Sequence, residues 1–179
     1  MWPFQTVTDL RRESETVRRR PYGVIEMLDG RLRGIHFRPW PKVVSVAEIW
    51  LFGGRFHHRA AGDRCLLYFN QPWGHRNYLT LSYIVSSSET SCRTARGAML
   101  VLDEVARIKR SDAVLCEVSN ARISGRLLQR WGWERHVLHS PRRHYIKRFY
   151  GEYPPPAPDW ALCAAAEYVP SAGRDVVVN

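Results

Sequence analysis

A strand, a helix and a second strand follow one another in residues 78–119, and this order constrains the fold more than any other feature of the chain. The flanking segments YLTLSYIV (78–85) and DAVLCEVS (112–119) are dominated by apolar and β-branched residues, which is typical of buried strands. Between them, apolar residues at helical spacing predict a helix over 94–109; they are Ala98, Met99, Leu102, Val105 and Ala106. A helix between two strands of one sheet allows the second strand to lie parallel to the first, and such a crossover is almost always right-handed. We therefore expect two parallel neighbouring strands in one sheet.

The remaining patterns predict antiparallel strands on either side of this unit. Residues 22–37 contain two β-prone runs around Asp29-Gly30, a dipeptide favoured in two-residue hairpin turns. A strand over 65–70 is joined to strand 78–85 by the turn-rich QPWGHRN and is expected to pair with it. WERHVLH and RRHYIKRFY predict a last strand pair. The predicted fold class is therefore α/β, with helices packed on a mixed (α+β) sheet.

A second helix is predicted over 121–131, before a glycine that lies between two tryptophans. Its apolar face carries Ile123, Leu127 and Leu128, and its other face carries Arg122, Arg126 and Arg130. Gly132 can adopt the left-handed conformation that ends a helix. At the other end, Ser119 or Asn120 can cap the first turn, because a short polar side chain accepts hydrogen bonds from unpaired backbone N–H groups.

The composition along the chain predicts one main domain with different ends. Residues 1–20 are polar, end in three arginines before a proline, and are interpreted as a basic arm or a short helix. Residues 21–150 form the predicted domain, in which 41–54 fit either a strand or a short helix through 46–52. Residues 151–179 begin with a proline-rich run and are interpreted as a tail, free or draped over the domain.

The charge of the chain favours an anionic partner. The formal net charge is +10 over 179 residues, and residues 121–150 carry eight basic residues against one acid. Nucleic acid, a membrane surface or a phosphate-bearing cofactor would each fit, as would an arginine-rich surface that binds only water. The sequence contains no apolar run long enough to span a membrane and no secretion signal, so we expect a cytoplasmic protein with no membrane partner. Its four cysteines are widely spaced, which favours reduced thiols.

The order of elements over residues 78–150 resembles the GNAT superfamily of acyl-CoA N-acyltransferases. That family places a strand, a small-residue turn, a long helix, a strand, an Asn-led helix and a strand that begins at Gly-aromatic in this order. The matching pieces here include YLTLSYIVSSS, CRTARGAMLVLDEVARIKR, DAVLCEVSN and ARISGRLLQRWGWE. The resemblance covers about 70 residues and implies the GNAT-like acyl-CoA N-acyltransferase fold.

The resemblance also implies how a coenzyme would bind. Helix starts hold phosphates through backbone N–H groups and the helix dipole, and small residues allow close approach. The implied contacts with acetyl-CoA come from strand residues, from the turn before the long helix and from an early Asn; they are Ser82, Ile84, Val85, Arg93, Thr94, Ala95, Arg96, Gly97, Ala98 and Asn120. Two alternatives stay open: the small residues allow tight helix–sheet packing, and Asn120 is a plain helix cap.

The implied reaction is transfer of an acetyl group from acetyl-CoA to an amine of unknown identity. Glu48 and Glu89, with Glu26, are candidate general bases, because they lie in or near predicted strands that face the expected cleft. No metal is expected, since His57 and His58 are adjacent on a predicted strand and point to opposite faces. Two alternatives remain: a GNAT-like binding module without activity, favoured by Leu128 where the family often has Tyr, and a basic nucleic-acid-associated protein.

Overall fold

Eight strands form one mixed sheet in the computed structural model, which describes residues 5–39, 62–86, 88–118, 123–137, 139 and 141–164. In spatial order the strands run β1-β3-β2-β4-β5-β6-β8-β7. The strands are β1 (Gln5–Val7), β2 (Tyr22–Leu28), β3 (Arg31–Arg38), β4 (Arg64–Asn70), β5 (Tyr78–Ser86), β6 (Ala113–Glu117), β7 (Glu134–His136) and β8 (His144–Arg148). The helices in the described residues are α1 (Ser14–Arg19), α2 (Cys92–Lys109), α3 (Gly125–Arg130) and α4 (Asp159–Leu162). The predicted mixed α and β architecture is confirmed at this level.

The parallel pair predicted from the strand–helix–strand order is confirmed. β5 and β6 pair in parallel, with Tyr78 opposite Ala113 and Leu81 opposite Cys116. α2 is the connection between them and begins two residues earlier than predicted. Every other pair of neighbouring strands in the described sheet is antiparallel. The only parallel step therefore lies in the middle of the sheet, between two antiparallel parts.

The predicted hairpins are also confirmed. β2 and β3 are joined at Asp29 and Gly30, both of which have positive φ (50° and 73°), as the tight turn requires. β4 pairs antiparallel with β5, and β7 with β8, as their turn-rich connections predicted. The ambiguous segment 41–54 lies outside the described residues.

α2 and α3 cover the same face of the sheet. Lys147 on β8 donates to Asp103 on α2 at 2.7 Å, so its side chain points to the α2 face. Because side chains alternate along a strand, Tyr145 points to that face as well. A Cβ added to Gly125, the first residue of α3, would lie 3.0 Å from the Tyr145 hydroxyl oxygen. His144, between Tyr145 and the end of the connecting loop, therefore points to the opposite face.

α2 is fixed against the sheet at its middle and at its end. A Cβ at Gly97 would lie 2.5 Å from Met27 Cε and 2.9 Å from Trp160 Cζ3, so the glycine lets β2 and α4 pack close to the helix. At the last residue, Lys109 Nζ donates to the carbonyl oxygens of Arg18 and Arg20 at 3.2 and 2.7 Å. These contacts join α2 to the ends of α1 and β2.

α3 is shorter than the predicted 121–131 and has a different cap. It begins at Gly125, where the hydroxyl of Ser124 accepts a hydrogen bond from Leu127 N–H at 3.2 Å. The alternative caps, Ser119 and Asn120, lie outside the described residues. The predicted end is confirmed, since Gly132 has φ 82°. Gly132 N–H and Trp133 N–H donate to the carbonyls of Gln129 and Leu128, which is a Schellman motif.

Both ends of the described chain belong to the folded unit. β1 is an edge strand paired with β3, and Val17 of α1 is fully buried. The C-terminal part returns to this edge, where Leu10 N–H donates to the Leu162 carbonyl at 3.1 Å and Asp9 bridges to Cys163. The first segment, interpreted from the sequence as a basic arm or a short helix, contains the edge strand β1 and the short helix α1. Residues 151–164 belong to the segment interpreted as a free or draped tail, and apolar residues of both segments pack into the common core.

Replacing Leu128 tests the assignment of the buried face of α3. Leu128 is only 2% exposed and belongs to the main core, whereas Arg126 on the same helix is exposed. We expect Leu128→Ala to lower the free energy of unfolding by about 2–5 kcal/mol, because it leaves a cavity. Arg126→Ala is the control and should change it by about 0.5 kcal/mol or less. Urea denaturation measures both; equal losses would show that the face is assigned wrongly.

Candidate functional site

The β5–β6 pairing ends halfway along β5. The last parallel partners are Leu81 and Cys116. Beyond this pair, β5 runs on to Ser86 and is hydrogen-bonded only to β4. β6 runs on to Glu117 and is hydrogen-bonded only to β8. The two strands therefore part in the middle of the sheet. This gap is the candidate functional site.

A β-bulge lies on β5 at the point where the strands part. In the β4–β5 ladder, Tyr68 is opposite Tyr83 while Phe69 is opposite Leu81, so Ser82 is the extra residue. Its hydroxyl accepts a hydrogen bond from Asn70 Nδ2 at 2.7 Å. A bulge leaves its extra residue outside the ladder and redirects the local backbone groups, and bulges are frequent next to active sites. Backbone polar groups of β5 are therefore available at the gap.

On the helix-covered face, the gap opens into an apolar cavity. Its volume is about 240 Å³, and Ala95 and Met99 of α2 form one wall while Leu127 and Leu128 of α3 form another. The remaining lining comes from β4, from β5 and β6 beyond the point of parting, and from residues around α3; it is Cys65, Leu81, Ser82, Tyr83, Ile84, Ser86, Cys116, Glu117, Val118, Ile123, Trp131 and Trp133. A cavity of this form can hold a narrow, largely apolar chain between the two helices.

The two cysteines in this cavity are unsuited to nucleophilic attack. Burial, with a smaller contribution from the Asp63 charge, raises the pKa of Cys65 to about 12. Burial also raises the pKa of Cys116 to about 12, although a hydrogen bond with the Tyr145 backbone acts to lower it. Both are therefore neutral thiols at neutral pH, and the thiolate is the reactive form. Neither thiol is therefore suited to form a covalent intermediate with a bound molecule.

A second, polar opening lies on the other face of the sheet. It has a volume of about 340 Å³ and shares Leu81, Ser82, Cys116 and Glu117 with the apolar cavity. We call it the polar opening because its own lining includes two histidines; that lining consists of Thr80, Leu115, His136, Val137, His144 and Tyr145. Because the two openings share residues on both strands, they lie on either side of the same gap.

Two of the three β5 residues that the resemblance implies as coenzyme contacts lie at this gap. Ser82 and Ile84 line the apolar cavity, whereas Val85 is buried and does not. On α2, Ala95 lines the cavity. Arg96 is exposed beside it. Asn120 and the candidate base Glu48 lie outside the described residues.

The start of α2 already holds a carboxylate. Ser91 caps the helix, and its hydroxyl accepts from Thr94 N–H at 3.1 Å. Asp63 accepts from Ser91 N–H at 2.7 Å and from the Ser91 hydroxyl at 2.9 Å. Burial opposes the charge of Asp63, but hydrogen bonds from Ser91 and Thr94 outweigh it and lower the pKa of Asp63 below its ordinary value. An anion at this helix start would meet the Asp63 charge, so the local charge does not favour a pyrophosphate there.

The other residues of the turn are engaged in packing. Gly97 and Ala98 are buried in the contact between α2 and the sheet, which is the tight-packing alternative that the sequence left open. Thr94 is fully buried, and its hydroxyl accepts from Gly30 N–H at 2.8 Å. Arg93 covers Gly30 and lies with its guanidinium 5.2 Å from the ring centre of Trp160. Of the two arginines in this turn, Arg96 is the one beside the cavity.

The candidate bases that the structure describes lie away from the gap. Glu89 is exposed and accepts a hydrogen bond from Gly62 N–H at 2.7 Å. Glu26 contacts both His36 and Arg64 at 2.8 Å. The pKa of Glu26 is lowered, and the hydrogen bond from His36 is the largest cause. Burial acts to raise this pKa, and the charge of Arg64 lowers it further. Neither glutamate lines either opening.

Three titratable residues that line the polar opening were not predicted from the sequence: Glu117, His136 and His144. The sequence contained one signal for Glu117: it is the only charged residue of β6 and comes directly after the apolar residues of that strand. The histidines gave no signal, because their position beside Glu117 depends on the register between β6 and β8. That register is set by the fold and cannot be read from the local sequence.

Comparisons with known proteins identify no relative: no family model matches the chain, and searches of the curated proteins and of the solved structures find no match. In the part of the chain that the structure describes, no group of histidine, cysteine or acidic residues is arranged to hold a metal ion. No described helix is long and apolar enough to cross a membrane. The geometry of the gap is therefore the basis for any functional assignment.

The contact of Asp63 with the start of α2 gives a pH-dependent prediction. The folded-state pKa of Asp63 is lowered, so its stabilisation is present above the unfolded pKa of about 4 and is lost as the pH falls through the folded pKa. We expect Asp63→Asn to lower the free energy of unfolding by about 1 kcal/mol at pH 7, because Asp63 is only half-buried. The difference from wild type should shrink below pH 4. Urea denaturation over a pH series measures it; a difference that does not change with pH would contradict the account.

Proposed function

We propose that this protein is an acyl-CoA-dependent N-acyltransferase of the GNAT type, which transfers an acetyl group from acetyl-CoA to an amine. The observation that carries the proposal is the parting of β5 and β6 at a bulge, with an apolar cavity and a polar opening that share residues of both strands at this gap. Two reactants can approach the gap from opposite faces of the sheet. The element order over 78–150 resembles that family, which supports the same assignment.

The thioester would bind from the helix-covered face. The pantetheine arm is narrow and uncharged, and it would lie in the cavity between α2 and α3. The acyl carbonyl would lie in the gap, where backbone N–H groups near Ser82 can donate to its oxygen. Donors already in place stabilise the negative charge that develops on this oxygen during attack, and they act most strongly where water is excluded.

The phosphates of the coenzyme would lie outside the cavity, at its cationic rim. Arg96 extends from α2 beside Ala95, and Arg126 and Arg130 are exposed on α3, next to the cavity residue Leu127. Guanidinium groups bind phosphate oxygens through paired, charge-assisted hydrogen bonds. We place the pyrophosphate at these arginines and not over the buried Gly97, because Asp63 occupies the helix start.

The reaction would be a direct transfer. The amine nitrogen attacks the thioester carbonyl carbon and forms the C–N bond, and the C–S bond then breaks to release the thiolate. Holding both reactants in attacking geometry removes much of the entropic part of the barrier. All four cysteines of the chain are free thiols, which fits a reducing compartment such as the cytoplasm.

Ligand-dependent melting tests the binding half of the proposal. At a hundredfold excess over its Kd, acetyl-CoA should stabilise the protein by about 2.7 kcal/mol, which raises Tm by roughly 5–10 °C for a chain of this size. Ala95→Phe should abolish the shift, because the larger side chain fills the cavity. Arg96→Glu should reduce it by reversing a charge at the rim.

Arg110→Glu is the matched control for Arg96→Glu. Arg110 is an exposed arginine at the other end of α2, about 20 Å away along the helix axis, and should leave the shift unchanged. No shift in the wild type at millimolar acetyl-CoA would contradict the proposal. A shift without thiol release in the presence of any amine would instead favour a binding module without activity.

A further inference from the structure

Glu117 lies where the two openings meet. It is the only carboxylate among the described residues that lines both the apolar cavity and the polar opening. Its neighbour Cys116 also lines both, but remains a neutral thiol. A charged residue is therefore present where the two openings meet.

Glu117 begins a row of titratable side chains on the polar face. In the β6–β8 ladder it lies opposite His144, and in the β7–β8 ladder His144 lies opposite His136. Side chains of directly opposite residues share one face of a sheet, with their Cβ atoms about 5 Å apart. Lys147 and Tyr145 define the helix-covered face, so this row lies on the opposite face, at the polar opening.

The row lies at the same height along the strands as the bulge on β5. Leu81 and Cys116 are the last parallel partners, so Ser82 and Glu117 are the next residues on either side of the gap. Ser82 lies on the polar face, because its hydroxyl contacts Asn70 there. An acyl carbonyl held near Ser82 would therefore be at the level of the Glu117 carboxylate.

Among the described residues, one charged side chain is paired with Glu117. Arg142 approaches its Oε2 at 3.7 Å, but that side chain is 71% exposed and the pair is screened by water. The other titratable residues that line the opening are His136 on β7, His144 and Tyr145 on β8, and Cys116 on β6. Of these, Cys116 and Tyr145 direct their side chains to the helix-covered face. Its accessible carboxylate can accept a proton from a molecule bound in the opening.

We propose that Glu117 is the general base for a primary alkylamine that binds as a cation in the polar opening, and that His144 positions its carboxylate. This inference rests on the proposed acyl transfer. The carboxylate attracts the ammonium group and takes one proton from its nitrogen. The nitrogen lone pair then forms the C–N bond, and a second proton leaves the nitrogen as the C–S bond breaks and the thiolate is protonated. Glu117 returns its proton to solvent, and the products are the N-alkyl amide and CoA.

The test separates binding from proton transfer. Acetyl-CoA binding is measured by calorimetry, and amine-dependent thiol release is measured with cadaverine, n-butylamine and Nα-acetyl-lysine. Glu117→Gln should bind acetyl-CoA within threefold of wild type but lose kcat/KM for the amine by a hundredfold or more. Glu134→Gln is the matched control, because Glu134 is also an exposed strand glutamate paired with an arginine, and it lines neither opening. Its rates should equal those of wild type, and melting curves confirm that both variants are folded.

The outcomes distinguish this inference from the proposed function. Wild-type transfer with equal rates in Glu117→Gln overturns the role of Glu117 and leaves the acyltransferase proposal intact. Binding of acetyl-CoA without thiol release for any of the three amines overturns the amine class and its base. Absence of acetyl-CoA binding in the wild type overturns the proposed function itself.

His144→Gln tests the positioning role. Histidine changes charge between pH 5 and 8, so a neighbouring imidazole alters the acid limb of a carboxylate-dependent rate. We expect the acid limb of the kcat/KM profile to move in His144→Gln, with acetyl-CoA binding unchanged. A uniform loss at every pH would show that His144 has only a structural role and would overturn this part of the inference.

Discussion

The docking of α2 on the sheet is the constraint on which the rest of the structure depends. This helix is the connection between β5 and β6, so its position decides how these strands lie side by side. Its start is held by Ser91 and Asp63, and its end by Lys109. Gly97 sets how closely it approaches β2 and α4. With both ends fixed, β5 and β6 remain parallel for four residue pairs and then part.

The gap is open on both faces of the sheet, and the two faces differ in the residues that they offer. The face under α2 and α3 is apolar and suits a narrow thioester arm, whereas the other face carries Glu117 and two histidines. Arginines are exposed beside the apolar opening, which fits the strong positive charge of the chain. The same charge favours nucleic acid in general, but under the proposed function the cavity between the helices would give a small phosphate-bearing cofactor a specific place.

Sequence patterns predicted the elements that depend on local or near-local signals. The Asp29-Gly30 turn, the crossover over 78–119 and the Gly132 helix end all follow from backbone conformation or hydrophobic period. What could not be predicted depends on register and tertiary contact. The position of Glu117 beside His144, the bulge at Ser82 and the carboxylate of Asp63 at the start of α2 are each set by residues distant in sequence. The small residues after Arg96 pointed to a phosphate, yet Trp160, from the predicted tail, fills that space.

A crystal structure with a hydrolysis-resistant thioether analogue of acetyl-CoA tests the central claim most directly. The account predicts that the pantetheine arm lies between Ala95 and Leu127. It also predicts that the acyl carbonyl oxygen lies about 3 Å from a backbone N–H of residues 82–84, at hydrogen-bond distance. The phosphates should contact Arg96 or the arginines of α3. Density for the analogue elsewhere, with the gap between β5 and β6 empty, would contradict the account.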